Sequence, residues 1–199
     1  GSVVLRAIHT PGHRPEHTCI AVIDRSRADE PWLVLTGDSI KLLSTGLVTK
    51  SGLQPLHFEH HRGARADKKI VADFDWKKRQ ATFMHDGSTE TAPIPPGMQD
   101  RISLMYQFMF LPLKNPALTV DMSNGKKVTR YEYLRSGEDA LQTKAGTFRT
   151  VHLTRKREPG DDGTEVWLAE DRFHIPVKVV IEEDKGGRME QVLTRLDIR

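Results

Sequence analysis

One cysteine, Cys19, stands among 199 residues. That excludes an intrachain disulfide, so a hydrophobic core has to hold the fold. Cys19 lies in the apolar run Cys19-Ile20-Ala21-Val22-Ile23, where a small buried hydrophobe is the simplest reading. No stretch is long and apolar enough to cross a membrane as a helix. No signal peptide opens the chain, and Gly1-Ser2 reads as the scar of a cleaved tag, ahead of which an export signal would already have been removed. Ser-His-Asp, Cys-His and phosphate-loop signatures are missing too. Charge of one sign is scarce: the net charge is +3, with 30 basic residues against 27 acidic. The two signs interleave, as in Glu182-Glu183-Asp184-Lys185, so no basic patch forms and no nucleic-acid partner is expected.

What is present is β texture. Val3 to Ile8, Thr18 to Asp24 and Trp32 to Thr36 read as short strands, with a turn at Thr10-Pro11-Gly12 and a charged loop over 25–31. Beyond Leu42, strands are expected at 46–50, 55–62, 69–76 and 80–84. Ala72, Phe74 and Trp76 share one face there, with Asp73 and Asp75 on the other, the period-2 pattern of a half-buried strand. The stretch 86–97 reads as a loop. Asp100 to Leu111 is the one helix candidate: Ile102, Met105, Tyr106 and Met109 recur at helical spacing, Asp100 suits an N-cap and Pro112 a stop. Strands resume at 117–122, 127–134, 139–143, 147–156, 164–170, 174–183 and 188–198, with Ile175, Val177, Val179 and Ile181 alternating. Asn124-Gly125 marks a hairpin turn. Consecutive strands with tight turns predict a mainly β fold. We expect a curved antiparallel sheet, an open barrel or sandwich-like, with one apolar helix near 100–111.

Residues 9–17 read His-Thr-Pro-Gly-His-Arg-Pro-Glu-His, and 35–39 read Leu-Thr-Gly-Asp-Ser. Imidazole and carboxylate at strand ends are ligand types for Zn²⁺ or Fe²⁺. These two stretches resemble the metallo-β-lactamase superfamily, in its glyoxalase II and persulfide dioxygenase branches. The resemblance implies that His13 ligates metal and that Asp38 ligates or bridges it. That superfamily carries an earlier His-x-His-x-Asp-His motif, which this chain lacks. A Zn or Fe site would then be incomplete, since catalysis needs three ligands and an open position. The expected cofactor is therefore none, with Zn or Fe as the alternative.

A second resemblance covers residues 44–198. Its carriers are Ser44-Thr45-Gly46-Leu47-Val48-Thr49, Gly52-Leu53-Gln54-Pro55, Phe74-Asp75-Trp76 and Pro96 to Leu104. Further on come Ala145 to Thr150, Thr164 to Ala169 and Ile175-Pro176-Val177. The stretch is similar to the bacterial exported family of unknown function DUF3108. The resemblance implies an exported or periplasmic location and a strongly curved sheet, with no established activity. Two resemblances meeting near residue 40 divide the chain into 1–40, a strand fragment added to the main sheet, and 41–199, an antiparallel β domain. A recombined or engineered chimera would explain the join. A sheet without its own first strands exposes an edge, so pairing between chains is a further expectation.

Gln99-Asp100-Arg101 is the most conspicuous polar cluster, and a helix start explains it. A curved sheet around an apolar helix makes a concave pocket. Phe74, Trp76 and Phe83 in the first half, and Tyr106, Phe108, Tyr131 and Trp167 in the second, are its candidate lining for a hydrophobic small molecule or lipid. The expected function is non-enzymatic, structural or lipid-binding. The alternative is a metal-dependent hydrolase or dioxygenase completed elsewhere.

Overall fold

The structure, a computed structural model, describes residues 5–7, 20–22, 33–37, 40–62, 69–184 and 186–196. The chain is mainly β, with a single short α-helix among the described residues. It divides into two compact units. The first holds Gly1–Leu104, Asp121–Thr129 and Leu196–Arg199; the second holds Met105–Val120 and Arg130–Arg195.

In the first unit, β1 (Leu5–Ala7) and β2 (Ile20–Val22) pair antiparallel, Leu5 opposite Val22. A six-stranded antiparallel meander follows in strict chain order: β3 (Leu33–Gly37), β4 (Ile40–Thr49), β5 (Gly52–Arg62), β6 (Lys69–Asp75), β7 (Gln80–His85) and β8 (Ser88–Pro93). Ala72, Phe74, Ala81 and Phe83 turn inward, and Asp73 and Asp75 outward. The sheet curls into a half-barrel over Phe58, Met98, Ile102 and Leu104, all essentially buried.

A β-bulge shapes this sheet. Thr45 pairs with His57, but Gly46 pairs with Pro55, so Leu56 is the extra residue on β5. The bulge flips the parity of the strand. Leu53 and Pro55 are buried before it, Phe58 and His60 after it. Stretch 86–97, read from sequence as a loop, contains β8. Its Ser-Thr-Glu-Thr-Ala-Pro side chains are nearly all exposed, so no apolar alternation announces it. Glu90 and Pro93 on this edge discourage pairing with another strand.

Strand β9 (Gln99–Asp100) pairs in parallel with the far end of β10 (Ala117–Ser123), Asp100 opposite Ser123. The helix is shorter than its apolar rows predict. An α-turn, α1 (Ser103–Gln107), passes into a 3₁₀ turn at Phe108–Phe110, and Leu111 is extended ahead of Pro112. Residues that precede proline are forced out of the helical region.

The other large sheet is again a meander after β9: β10, β11 (Val128–Thr143), β12 (Gly146–Arg155), β13 (Gly163–Ala169), β14 (Ile175–Glu182) and β15 (Arg188–Val192). The two strands expected at 127–134 and 139–143 are one, β11. Arg135-Ser136-Gly137 is not a break but a bulge with Ser136 as the extra residue. A second bulge places Val177 between Lys178 and Pro176. The clean alternation expected from Ile175 to Ile181 therefore slips: Ile175, Val177 and Val180 are buried, and Val179 is only half-buried. Phe108 and Tyr133 meet edge to face in the core, with ring centroids 5.2 Å apart, a favoured aromatic geometry.

Candidate functional site

The bulge on β5 builds a concavity. The extra residue Leu56 lines, with Leu47 and Trp76, the mainly apolar wall of a hollow of about 450 Å³ open to solvent, and Phe74, only 4% exposed, lies behind that wall. Trp76 Nε1 donates to the Pro55 carbonyl beside the bulge at 2.6 Å, which fixes the indole against the wall. Gln54, Asp73, Asp75, Lys77 and Thr82 supply the polar rim. The volume lies within the range of small-molecule sites.

Next to the rim is a network that the sequence reading passed over. The relevant spacing is His57-x-Glu59-x-His61, which puts three side chains on one face of a strand. His57 Nδ1 lies 2.6 Å from Asp73 Oδ1 on β6, and its Nε2 lies 3.0 Å from Glu59 Oε1. His61 Nε2 and Lys69 Nζ approach the same Glu59 carboxylate at 2.7 and 2.8 Å. With a carboxylate at each ring nitrogen, the doubly protonated imidazolium is the form that satisfies both. The two nitrogens point to different acceptors, so one metal ion cannot replace both contacts. Among the described residues no group of three or more His, Cys, Asp or Glu could hold a metal. His13 and Asp38 lie outside the described residues.

Burial raises the Glu59 carboxyl, but hydrogen bonds from Lys69, His61 and His57 outweigh it and hold the group at about 2. Its contribution to stability is complete above 4.5 and is lost as pH falls towards about 2. Burial lowers His57, but Asp73 and Glu59 outweigh it and raise the imidazole above 6.5. That contribution is complete below 6.5 and is lost as pH rises through the raised value. The pairs are partly exposed, so the alkaline loss is expected to be at most about 1 kcal/mol. Urea denaturation across pH should show it, and His57→Gln should flatten the alkaline limb. The acid limb should largely remain, because Lys69 and His61 still hold Glu59. An unchanged alkaline limb in the variant would refute the assignment.

The aromatic candidates divide by role. Phe74 and Trp76 are brought together at the hollow. Phe83, Tyr106 and Phe108 are core residues, 2%, 9% and 0% exposed. Tyr131 is half-buried beneath the Arg155 guanidinium, 4.7 Å from its ring. Trp167 stacks on His152 of β12 at 4.0 Å and 10°, and Lys178 Nζ of β14 lies 4.8 Å from its ring. Neighbours on the two flanking strands thus occupy the indole. His152 Nε2 contacts Glu165 at 2.7 Å and Lys178 contacts Glu190 at 3.3 Å, which makes a cross-strand ladder.

The other polar cluster is structural. Asp100 Oδ1 accepts the N–H groups of Ile102 and Ser103, both at 2.8 Å, and Oδ2 accepts the Ser44 hydroxyl at 2.5 Å. Ser103 Oγ in turn accepts the Asp100 N–H at 2.9 Å. This is a reciprocal helix cap through Oδ1, while Oδ2 ties the helix start to Ser44 on β4.

The model of a protein family of unknown function, DUF3108, matches residues 15–192. The chain belongs to that family. The DUF3108 match begins before residue 40 and runs through it, and none of the comparisons supports a metallo-β-lactamase segment. No curated protein matches the chain. A solved structure from Bacteroides fragilis NCTC 9343, of a protein inferred to be exported and of YmcC-like fold, matches at 11% identity. It covers 98% of this chain and 94% of its own, with a TM-score of 0.31, too low for an argument from its structure. DUF3108 membership thus names a family without naming an activity.

Proposed function

We propose that this DUF3108 chain is a non-enzymatic, exported β domain that binds a hydrophobic small molecule or lipid in the hollow beside the β5 bulge. The observation that carries the reading is the apolar wall of Leu47, Leu56 and Trp76, backed by the buried Phe74, in a concavity of about 450 Å³. Leu47 is 39% exposed and its neighbour Val48 46%, an apolar exposure with a use if a ligand covers it. Export rests on the family resemblance. The alternative of a metal-dependent hydrolase or dioxygenase has no observation in its favour among the described residues.

The test is uptake of an environment-sensitive fluorescent amphiphile by the purified chain. Leu47→Asp puts a charge on the wall at an exposed position where folding is little affected. It is expected to weaken uptake about tenfold, because the carboxylate would have to be desolvated against the ligand. Trp76→Phe keeps the apolar surface but loses the bond to Pro55, and a loss of about threefold is expected. No uptake by the unmodified chain, or equal uptake by Leu47→Asp, would overturn the reading.

A further inference from the structure

The rim of the hollow carries more information than its wall, and it resolves into engaged and unengaged groups. Asp75 is engaged: Oδ1 accepts the Lys78 N–H at 3.0 Å and Oδ2 lies 3.4 Å from Lys78 Nζ. Asp73 is engaged by His57 at 2.6 Å. The side chains of Lys77 and Gln54 line the same rim, and neither has a hydrogen bond or ion pair among the described residues. Both carboxylates of the rim thus already have a basic partner within the protein. The groups left for a ligand are the Lys77 ammonium, the Gln54 amide and the Thr82 hydroxyl.

We propose that the ligand is a single-chain fatty carboxylate, its tail against Leu47, Leu56 and Trp76, its head group at Lys77 and Gln54, with His57 keeping Asp73 from repelling it. This rests on the reading of the hollow as a hydrophobic-ligand site and adds the charge of the head group and its control. A cationic amphiphile would meet Lys77 as a like charge, and a neutral one would leave Lys77 unused. The groups facing His57 are Asp73 from β6 and Glu59 from its own strand. From β4 the residue opposite is Thr45, which does not titrate. Beyond Glu59 stand His61 and Lys69. When the imidazolium loses its second proton, one carboxylate loses its donor. Asp73, the more exposed of the two at 54% against 17%, then adds an uncompensated negative charge to the rim.

The experiment compares a dansyl-labelled fatty carboxylate with its primary amide, identical in the tail, by fluorescence titration from about pH 6 to about pH 8.5. The carboxylate is expected to bind about threefold or more tightly than the amide at the acid end, and to lose that margin as pH rises. Lys77→Glu should remove the margin at every pH, and His57→Gln should flatten its pH dependence. Equal binding of the two probes by the unmodified chain, with Leu47→Asp still weakening both, would overturn this inference and leave the hydrophobic site standing. A margin that survives Lys77→Glu, or whose pH dependence survives His57→Gln, would overturn it as well. Binding of neither probe would remove the site itself.

Discussion

Replacing Asp100 by alanine is expected to destabilise the chain by about 3–5 kcal/mol, measured as a lowered urea midpoint at unchanged slope. The carboxylate is fully buried and accepts three donors: the Ser44 hydroxyl and the N–H groups of Ile102 and Ser103. Alanine leaves all three without their partner. Each orphaned buried donor costs about 1–3 kcal/mol, and the loss of a helix cap is part of the same sum. Asp100→Asn is a sharper comparison. Its amide oxygen still accepts both N–H groups, and the Ser44 hydroxyl can rotate to accept from the amide nitrogen. A cost of about 1 kcal/mol is expected.

The pair also predicts a pH signature. Burial raises the Asp100 carboxyl above 3.8, and its hydrogen bonds offset this only in part. The folded state then holds the proton more tightly than the unfolded one. Stability from this group is greatest below 3.8 and declines as pH rises through the folded value, after which it is flat. Asp100→Asn removes that dependence, so the gap between the two proteins should be widest in acid and narrow as pH rises. A gap independent of pH would show that the carboxyl is not perturbed. Ser44→Ala removes a single donor and should cost less than Asp100→Ala. Equal losses would place the energy in that one bond and not in the helix start.

This site shows what could be read from sequence and what could not. Asp100 ahead of an apolar helical pattern announces an N-cap, because capping is a contact between near neighbours in the chain. Its partner Ser44 lies 56 residues away, and nothing local to either residue signals the bond. The same division runs through the fold. Alternation at Ala72, Phe74 and Trp76 is legible because one face is buried. β8 is illegible because it is an edge with nothing to bury. Arg135-Ser136-Gly137 carries turn chemistry, yet the neighbouring strand β12 continues past it, and pairing on both sides turns an apparent break into a bulge. The hollow was half legible. Phe74 and Trp76 are marked by their strand alternation, but Leu56 joins them only because the bulge moves it out of register. A single inserted residue in a strand leaves no pattern of its own. His57-x-Glu59-x-His61 was legible in principle, since its spacing is the strand period.

Gly46→Ala is expected to cost about 3 kcal/mol, although it adds one methyl group. Gly46 sits where the bulge forces β4 and β5 together. A Cβ built there would lie 2.3 Å from the Gln54 carbonyl oxygen and 2.8 Å from Pro55 Cα. Both are backbone atoms of the paired strand, so no rotamer change relieves the overlap. The strands must part, and the ladder that aims Leu56 at the hollow shifts with them. Gly125 makes a useful control. Its positive φ of 91° also disfavours a side chain, but its Cβ would meet side-chain atoms, Ile70 Cγ2 at 2.7 Å and Phe58 Cε1 at 3.0 Å. Phe58 is a fully buried ring and Ile70 Cγ2 a β-branch methyl, so Gly125→Ala should also lower stability, but it lies away from the bulge and should leave amphiphile uptake intact. Gly46→Ala should lower both, because the same backbone contact that sets the bulge also builds the wall. If Gly46→Ala loses stability but binds as tightly as the unmodified chain, the hollow does not depend on the bulge, and its lining has been assigned to the wrong cause.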